Sequence, residues 1–246
     1  MIRNTPPLAL LLDFDGTLVP IGPTPDDIAV SGELRALLAE AMELLGGRVA
    51  LISGRSLDQL DALWGRSLWP VTVAASHGLE LRNDGHRRAP PPAKIFPRLV
   101  REIEKTFPAG DGVVIELKSY GLGIHFRLAP DRRNAVRMWA EAQAAEHDLA
   151  IQAGDMVFEL RLPGADKGDA VRKIMHLPHF AGSLPVYIGD DLTDIPAIAA
   201  ARALGGRGIA VGERIAGHAD EVLASPAAVH DRIRAILEAV PRTFIT

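Results

Sequence analysis

With 246 residues, 48% of them hydrophobic and 24% charged, the chain is too apolar for a mostly disordered protein and long enough for one large domain or a domain carrying a sizeable insertion. Lys and Arg number 27 against 31 Asp and Glu, a formal net charge of −4 that argues against a nucleic-acid partner. Zero Cys excludes disulfides, thiolate metal sites and cysteine nucleophiles, so any metal must sit on oxygen or imidazole.

Taken in chain order, the first apolar run, Leu8–Leu12, stops at Asp13-Phe14-Asp15. It is too short for a signal peptide or a spanning helix, so no membrane partner and a cytoplasmic location are expected. As a continuous apolar run it reads as a strand buried on both faces of a parallel sheet. Leu34, Leu37, Leu38, Met42 and Leu45 then recur at helical spacing over residues 33–45, with Ser31 as a cap and Gly46-Gly47 as a stop. A strand at 49–52, a helix at 57–63 and a strand at 71–74 repeat the alternation, which is the opening of a doubly wound α/β sheet.

The rhythm changes near His86. Arg87-Arg88-Ala89-Pro90-Pro91-Pro92 reads as a basic, proline-rich linker, suited neither to a helix nor to a central strand. Beyond it the pattern is a helix at 96–107, strands at 113–116 and 123–126, a helix at 133–146, and strands at 150–152 and 156–160. This αββαββ order describes a compact α+β module. After Pro163-Gly164 the first rhythm returns, with a helix from Lys167 to Met175, a strand at 186–188, a helix after Asp194, a strand at 209–211 and a last helix at 227–238. The organisation is therefore a core from 1–85 and 165–246, interrupted by an insertion at 86–164. The insertion holds 12 basic and 10 acidic residues and the remainder 15 and 21, so an acidic core accompanies a slightly basic insertion.

In an open α/β sheet, ligands bind beyond the carboxyl ends of the strands. Those ends carry Asp13-Phe14-Asp15-Gly16-Thr17, Ser53-Gly54-Arg55, Ser76-His77-Gly78 and Gly189-Asp190-Asp191-Leu192-Thr193-Asp194. Two carboxylates at i and i+2 of an extended segment project to one side, where a divalent cation or a shared proton must relieve their repulsion. With Asp190 arriving from another strand and no soft ligand in the chain, hard magnesium is the natural ion. Gly16-Thr17 adds a turn whose N–H groups and hydroxyl can face an anion. Read alone, Asp-x-Asp-Gly is also a turn, Ser53 a helix cap, and Lys167 a surface lysine; beside the other motifs, an anionic partner would explain a cation at a helix start. The glycines from Gly205 to Gly212 surround a strand instead of linking strand to helix, so they do not make a dinucleotide loop.

Asp13-Phe14-Asp15-Gly16-Thr17-Leu18, Ser53-Gly54-Arg55, Lys167-Gly168 and Gly189-Asp190-Asp191-x-Thr193-Asp194 resemble the four ordered motifs of the haloacid-dehalogenase (HAD) phosphatase superfamily. Ala75-Ser76-His77-Gly78-Leu79-Glu80, Glu116-x-Lys118, His125-x-Arg127 and Glu159-x-Arg161 are similar to segments of one branch, the trehalose-6-phosphate phosphatases. The resemblance implies a Rossmann-like doubly wound HAD core with an inserted α+β cap. It implies hydrolysis of trehalose 6-phosphate through an aspartyl-phosphate, the last step of trehalose biosynthesis. Asp13 is then the nucleophile and Asp15 the acid/base. Magnesium would be held by the Asp13 carboxylate, the Asp15 backbone carbonyl and Asp190, with Asp191 and Asp194 behind them. Thr17, Ser53 and Lys167 would hold the phosphoryl oxygens. Arg55, His77 and Gly78 of the core, with Glu116, Lys118, Arg127 and Glu159 of the cap, would close over the sugar. The implied partner is a small sugar phosphate, with no obligate protein partner. Sucrose 6-phosphate or a glycosylglycerate phosphate remains an alternative substrate. A non-catalytic sugar-phosphate-binding regulator would need a damaged motif, and none is damaged. Two-period alternation alone makes Glu116 and Lys118 the solvated face of a strand, and His125 a packing residue.

Overall fold

The computed structural model describes residues 6–22, 27–68, 70–91, 93–163 and 166–240. Pro92 of the proline tract and Gly164 and Ala165 of the second junction lie outside the described residues. The described chain forms two compact units, one within residues 1–89 and 166–246 and the other within 90–165.

In the first unit the elements run β1 (Leu8–Leu12), α1 (Gly32–Leu44), β2 (Val49–Ile52), α2 (Leu57–Trp64), β3 (Thr72–Ala75), β4 (Glu80–Asn83) and β5 (His86–Arg88). The second unit contributes α3 (Ile95–Thr106), β6 (Val114–Lys118), β7 (Gly121–His125), α4 (Arg133–His147), β8 (Ala150–Gly154) and β9 (Val157–Arg161). The first unit then resumes with α5 (Lys167–Met175), β10 (Leu184–Gly189), α6 (Ile195–Ala203), β11 (Arg207–Val211), β12 (Glu221–Leu223) and α7 (Pro226–Glu238).

The core sheet has the order β12-β11-β10-β1-β2-β3-β4-β5. It is parallel from β12 to β3, and β4 and β5 pair antiparallel at one edge. Alternate residues of one strand serve opposite layers. Leu10 and Leu12 of β1 pack with apolar residues of α1, α2 and α7, while Ala9 and Leu11 pack with those of α5 and α6. This is why the strand reads as an unbroken apolar run. The helices are set by local signals as well as by burial. Ser31 accepts from Leu34 N at the start of α1, and Ser56 forms a reciprocal capping box with Gln59 at the start of α2.

Two readings of the sequence change here. The segment from His86, taken as linker, instead continues the core sheet through Arg88, because it turns at Asp84-Gly85 and pairs back on β4. An exposed three-residue edge strand of basic residues has no apolar periodicity to announce it. The same brevity hides β12 at the other edge. Ser53 does not cap α2; Ser56 does.

The second unit is an antiparallel sheet of order β6-β7-β9-β8. Leu122, Ile124, Phe158 and Leu160 on one face bury against Phe96, Leu99 and Ile103 of α3 and Val136, Ala140 and Ala144 of α4. The other face carries the polar side chains Glu116, Lys118, His125 and Glu159.

Candidate active site

β1 and β10 lie side by side at the centre of the core sheet, with Leu12 opposite Ile188. Asp13 and Asp190 therefore leave the sheet together, and Asp13 N donates to Ile188 O at 2.9 Å. The turn after Asp13 is closed by Leu18 N donating to Phe14 O at 2.9 Å and Gly16 N donating to Val19 O at 2.8 Å. Gly16 sits at φ +78°, and a Cβ there would lie 2.2 Å from Oδ2 of Asp190. Only glycine admits both that backbone and that approach.

Lys167, the first residue of α5, is buried and not a surface lysine. Its Nζ donates to Asp13 Oδ1 at 2.6 Å and Asp194 Oδ1 at 2.7 Å. Thr17, also buried, places Oγ1 3.3 Å from Asp13 Oδ2 and 3.4 Å from Asp190 Oδ1. Asp194 is fully buried and its two oxygens each accept twice. Oδ1 takes bonds from Lys167 and from the Tyr187 hydroxyl at 2.5 Å, and Oδ2 from the backbone N–H groups of Asp190 at 3.0 Å and Asp191 at 2.9 Å. Asp194 thus braces the loop that carries Asp190. Asp191 forms a capping box with Asp194 and a 2.7 Å ion pair with Arg214.

Carboxylate oxygens of Asp13, Asp190 and Asp194 lie within 4.8 Å of one another. The electrostatic consequences follow from that crowding. Burial, then the charges of Asp194 and Asp190, push the Asp13 carboxyl well above its ordinary range, with Lys167 pulling the other way. Burial and Asp194 push Asp190 up to about 7. Burial works against the Lys167 charge, but the carboxylates of Asp13 and Asp194 outweigh it and hold its pKa above the usual lysine value. Burial and the same carboxylates raise the Tyr187 phenol. One ammonium among three carboxylates leaves an excess of negative charge, and a divalent cation on oxygen ligands is the group that fits.

The Asp15 carboxylate is held by Arg55, whose Nε donates to Oδ2 and Nη2 to Oδ1, each at 2.8 Å. Arg55 follows β2, and its backbone N donates to Ser53 Oγ at 3.1 Å. Ser53 and Arg55 are in turn tied to the next strand end, because His77 N donates to Ser53 O at 3.0 Å and Ser76 N to Arg55 O at 2.8 Å. Gly78, at φ +95°, allows that turn to approach Ala170 of α5, where a Cβ would stand 3.0 Å from the Ala170 Cβ. The core residues singled out in the sequence are thus brought to one end of the sheet. Tyr187 and Arg214 join them unannounced, and Glu80, quoted only as the end of the Ser76-His77-Gly78 segment, joins them without having been given a role. A tyrosine in a buried parallel strand was the available signal for the first, since its hydroxyl needs a partner.

In the second unit, register places Glu116 opposite Gly123 and Gly123 opposite Glu159 on neighbouring strands. Lys118 Nζ donates to Glu159 Oε2 at 2.7 Å and stands 3.8 Å from Glu116 Oε2, which lies 3.0 Å from His125 Nε2. Glu116, Lys118 and Glu159 are therefore one partly buried network, not a solvated face, and His125 belongs to it. Arg127 stands apart, on Asp155 at 2.6 Å in the turn between β8 and β9.

A buried aspartate at a strand end, a lysine and a hydroxyl upon it and carboxylates fit for a divalent ion are consistent with the active site of a HAD-type α/β core. Residues 11–211 match the trehalose-phosphatase family, and the chain belongs to that family. A protein of Sinorhizobium fredii named probable trehalose-phosphate phosphatase is 39% identical over 237 residues, covering 94% of this chain and 87% of that protein. The trehalose-6-phosphate phosphatase of Escherichia coli is 32% identical over 218 residues, with 86% and 81% covered. Among solved structures, a trehalose-6-phosphate phosphatase related protein superposes with a TM-score of 0.76 at 26% identity, over 94% of this chain and 97% of that one.

Proposed function

We propose that this protein hydrolyses trehalose 6-phosphate to trehalose and inorganic phosphate, in the cytoplasm, through an aspartyl-phosphate on Asp13. The observation that carries the reading is the buried Asp13 carboxylate, gripped by Lys167 and facing Thr17 and Asp190, in a chain of the trehalose-phosphatase family. Asp13 attacks phosphorus in line, the bond from phosphorus to the sugar oxygen breaks, and Asp15 gives its proton to that oxygen. In the second half Asp15 takes a proton from water, the water oxygen attacks phosphorus, and the bond to Asp13 breaks. Lys167, Thr17 and Ser53 hold the phosphoryl oxygens while charge spreads over them.

The Asp13 and Asp190 carboxylates and the Asp15 backbone carbonyl would hold Mg2+, with Asp191 and Asp194 supporting the loop. Once bound, the ion neutralises phosphoryl charge as a Lewis acid. Arg55, which pairs with both oxygens of Asp15, is assigned to the substrate together with His77 and Gly78. Glu116, Lys118, Arg127 and Glu159 are assigned to the sugar hydroxyls, which several carboxylate acceptors and cationic donors suit.

The test is phosphate release from trehalose 6-phosphate, sucrose 6-phosphate, glucose 6-phosphate, a glycosylglycerate phosphate and p-nitrophenyl phosphate, with Mg2+ and with chelator. A Mg2+-dependent preference for the trehalose ester is expected. Equal rates on another glycosyl ester would overturn the sugar assignment, and no release from any by folded protein would overturn the activity. Glu116→Ala should lower kcat/KM for the trehalose ester far more than for the aryl ester, and equal losses would remove Glu116 from sugar recognition.

A further inference from the structure

We infer that Glu80 is a positioning residue for phosphoryl transfer: its buried carboxylate holds the Ser76-His77-Gly78 turn and the start of α2 so that Ser53 and Arg55 keep their places. The inference rests on the reaction proposed above. Glu80, the first residue of β4, is fully buried. Its Oε1 accepts from Ser76 Oγ at 2.8 Å and from Leu57 N at 3.2 Å. Oε2 accepts from Arg87 Nη2 at 2.6 Å, and Arg87 also donates to Asp58 Oδ1 at 2.7 Å, in the first turn of α2.

Each of these contacts has a consequence for the loop between β2 and α2. Leu57 N is among the helix N–H groups that α2 cannot satisfy internally, and Ser56 already serves Gln59 N. Glu80 therefore pins the helix start directly behind Arg55. Ser76 and His77 stand at φ +48° and +56°, two successive non-glycine residues in the left-handed region, which persist only when their surroundings hold them. The Ser76 hydroxyl bond to Glu80 is such a hold. From the same turn Ser76 N reaches Arg55 O and His77 N reaches Ser53 O, and Arg55 in turn grips both oxygens of Asp15. Glu80 is thus three hydrogen-bonded links from the acid/base group, through Ser76 and Arg55, and touches none of the reacting atoms. A buried carboxylate is a costly way to fill a core, so stability alone is a poor reason for one here.

The experiment measures kcat and KM on trehalose 6-phosphate and on p-nitrophenyl phosphate with Mg2+, beside the thermal midpoint, for wild type, Glu80→Asp, Glu80→Gln and Ser76→Ala. Aspartate is one methylene too short to serve both Ser76 and Leu57, whereas glutamine keeps the Oε1 acceptor. Glu80→Asp should lower kcat at least about tenfold on both esters, since small displacements of catalytic groups are costly. Its KM should move much less, and Glu80→Gln should recover most of the rate. Ser76→Ala should show a smaller loss of the same kind, and it decides the matter if Glu80→Asp does not fold. Wild-type kcat in folded variants would overturn the inference. So would a loss confined to the disaccharide ester, or one that follows the folded fraction without rescue by glutamine. Wild-type protein inactive on both esters would instead mark failure of the reaction itself, and the inference would fall with it.

Discussion

Asp13 and Gly16 show how much chemistry rests on single side chains, or on the lack of one. Asp13→Asn removes the carboxylate proposed as nucleophile but keeps its shape and an acceptor for Lys167. Turnover should vanish while circular dichroism and the thermal midpoint stay close to wild type; measurable turnover would end the covalent proposal. Gly16→Ala should be worse for the fold. It forces an L side chain into φ +78° and drives a Cβ into the Asp190 carboxylate. Backbone strain of that kind costs about 1–3 kcal/mol, so denaturant melts should reveal a stability loss together with lost activity. The sequence motif shows that Gly16 matters for a turn. The Asp190 contact, made across 174 positions of chain, is visible only in the folded protein.

At the scale of elements, helix starts were the most legible features and sheet edges the least. Ser31 is identifiable from sequence as a cap and accepts from Leu34 N as expected. The same rule applied to Ser53 fails, because Ser56 lies at the true boundary with Gln59 three residues on. Ser56→Ala should cost about 1 kcal/mol in an equilibrium melt, with Ser53→Ala showing a different pattern, activity lost before stability. An equal stability loss from Ser53→Ala would contradict the capping assignment. β4 and β5 were hidden for a different reason: a short edge hairpin has few apolar residues, and its pairing is decided by the turn at Asp84-Gly85 and by strand β3 beside it.

For the molecule as a whole, the acidic cluster links folding, pH and metal. A carboxyl whose pKa rises on folding costs stability once it must ionise. For Asp190 the penalty is absent below the unfolded value of 3.8 and is complete above about 7. Chelator-treated protein should therefore lose part of its stability as pH rises through that window, and Asp190→Asn should flatten this slope. Mg2+ should raise the thermal midpoint, and by more near neutral pH than near about pH 5, because its ligands must be deprotonated to bind. A midpoint indifferent to Mg2+ in wild type, or an equal shift in Asp190→Asn, would count against the carboxylate cluster as the ion's site. Among the described residues no helix is long and apolar enough to cross a membrane.

The alternation of strands and helices, the interruption by an α+β insertion, and the four motifs at strand ends were all determined locally, by apolar periodicity and by short-range turn chemistry. What needed tertiary structure were the partnerships. Arg55, expected at the substrate, has its guanidinium on Asp15; Lys167, an odd cation at a helix start that the motif resemblance placed on the phosphoryl oxygens, bridges Asp13 and Asp194. Two-period alternation alone made Glu116 and Lys118 a solvated face while the resemblance put them at the sugar; in the fold they meet Glu159, brought opposite by the β7–β9 register, whereas Arg127 pairs with Asp155 in a turn. Periodicity specifies which way a residue points within its own element. Which charge it finds there depends on the order of strands in the sheet, and that order is set by the packing of the whole chain.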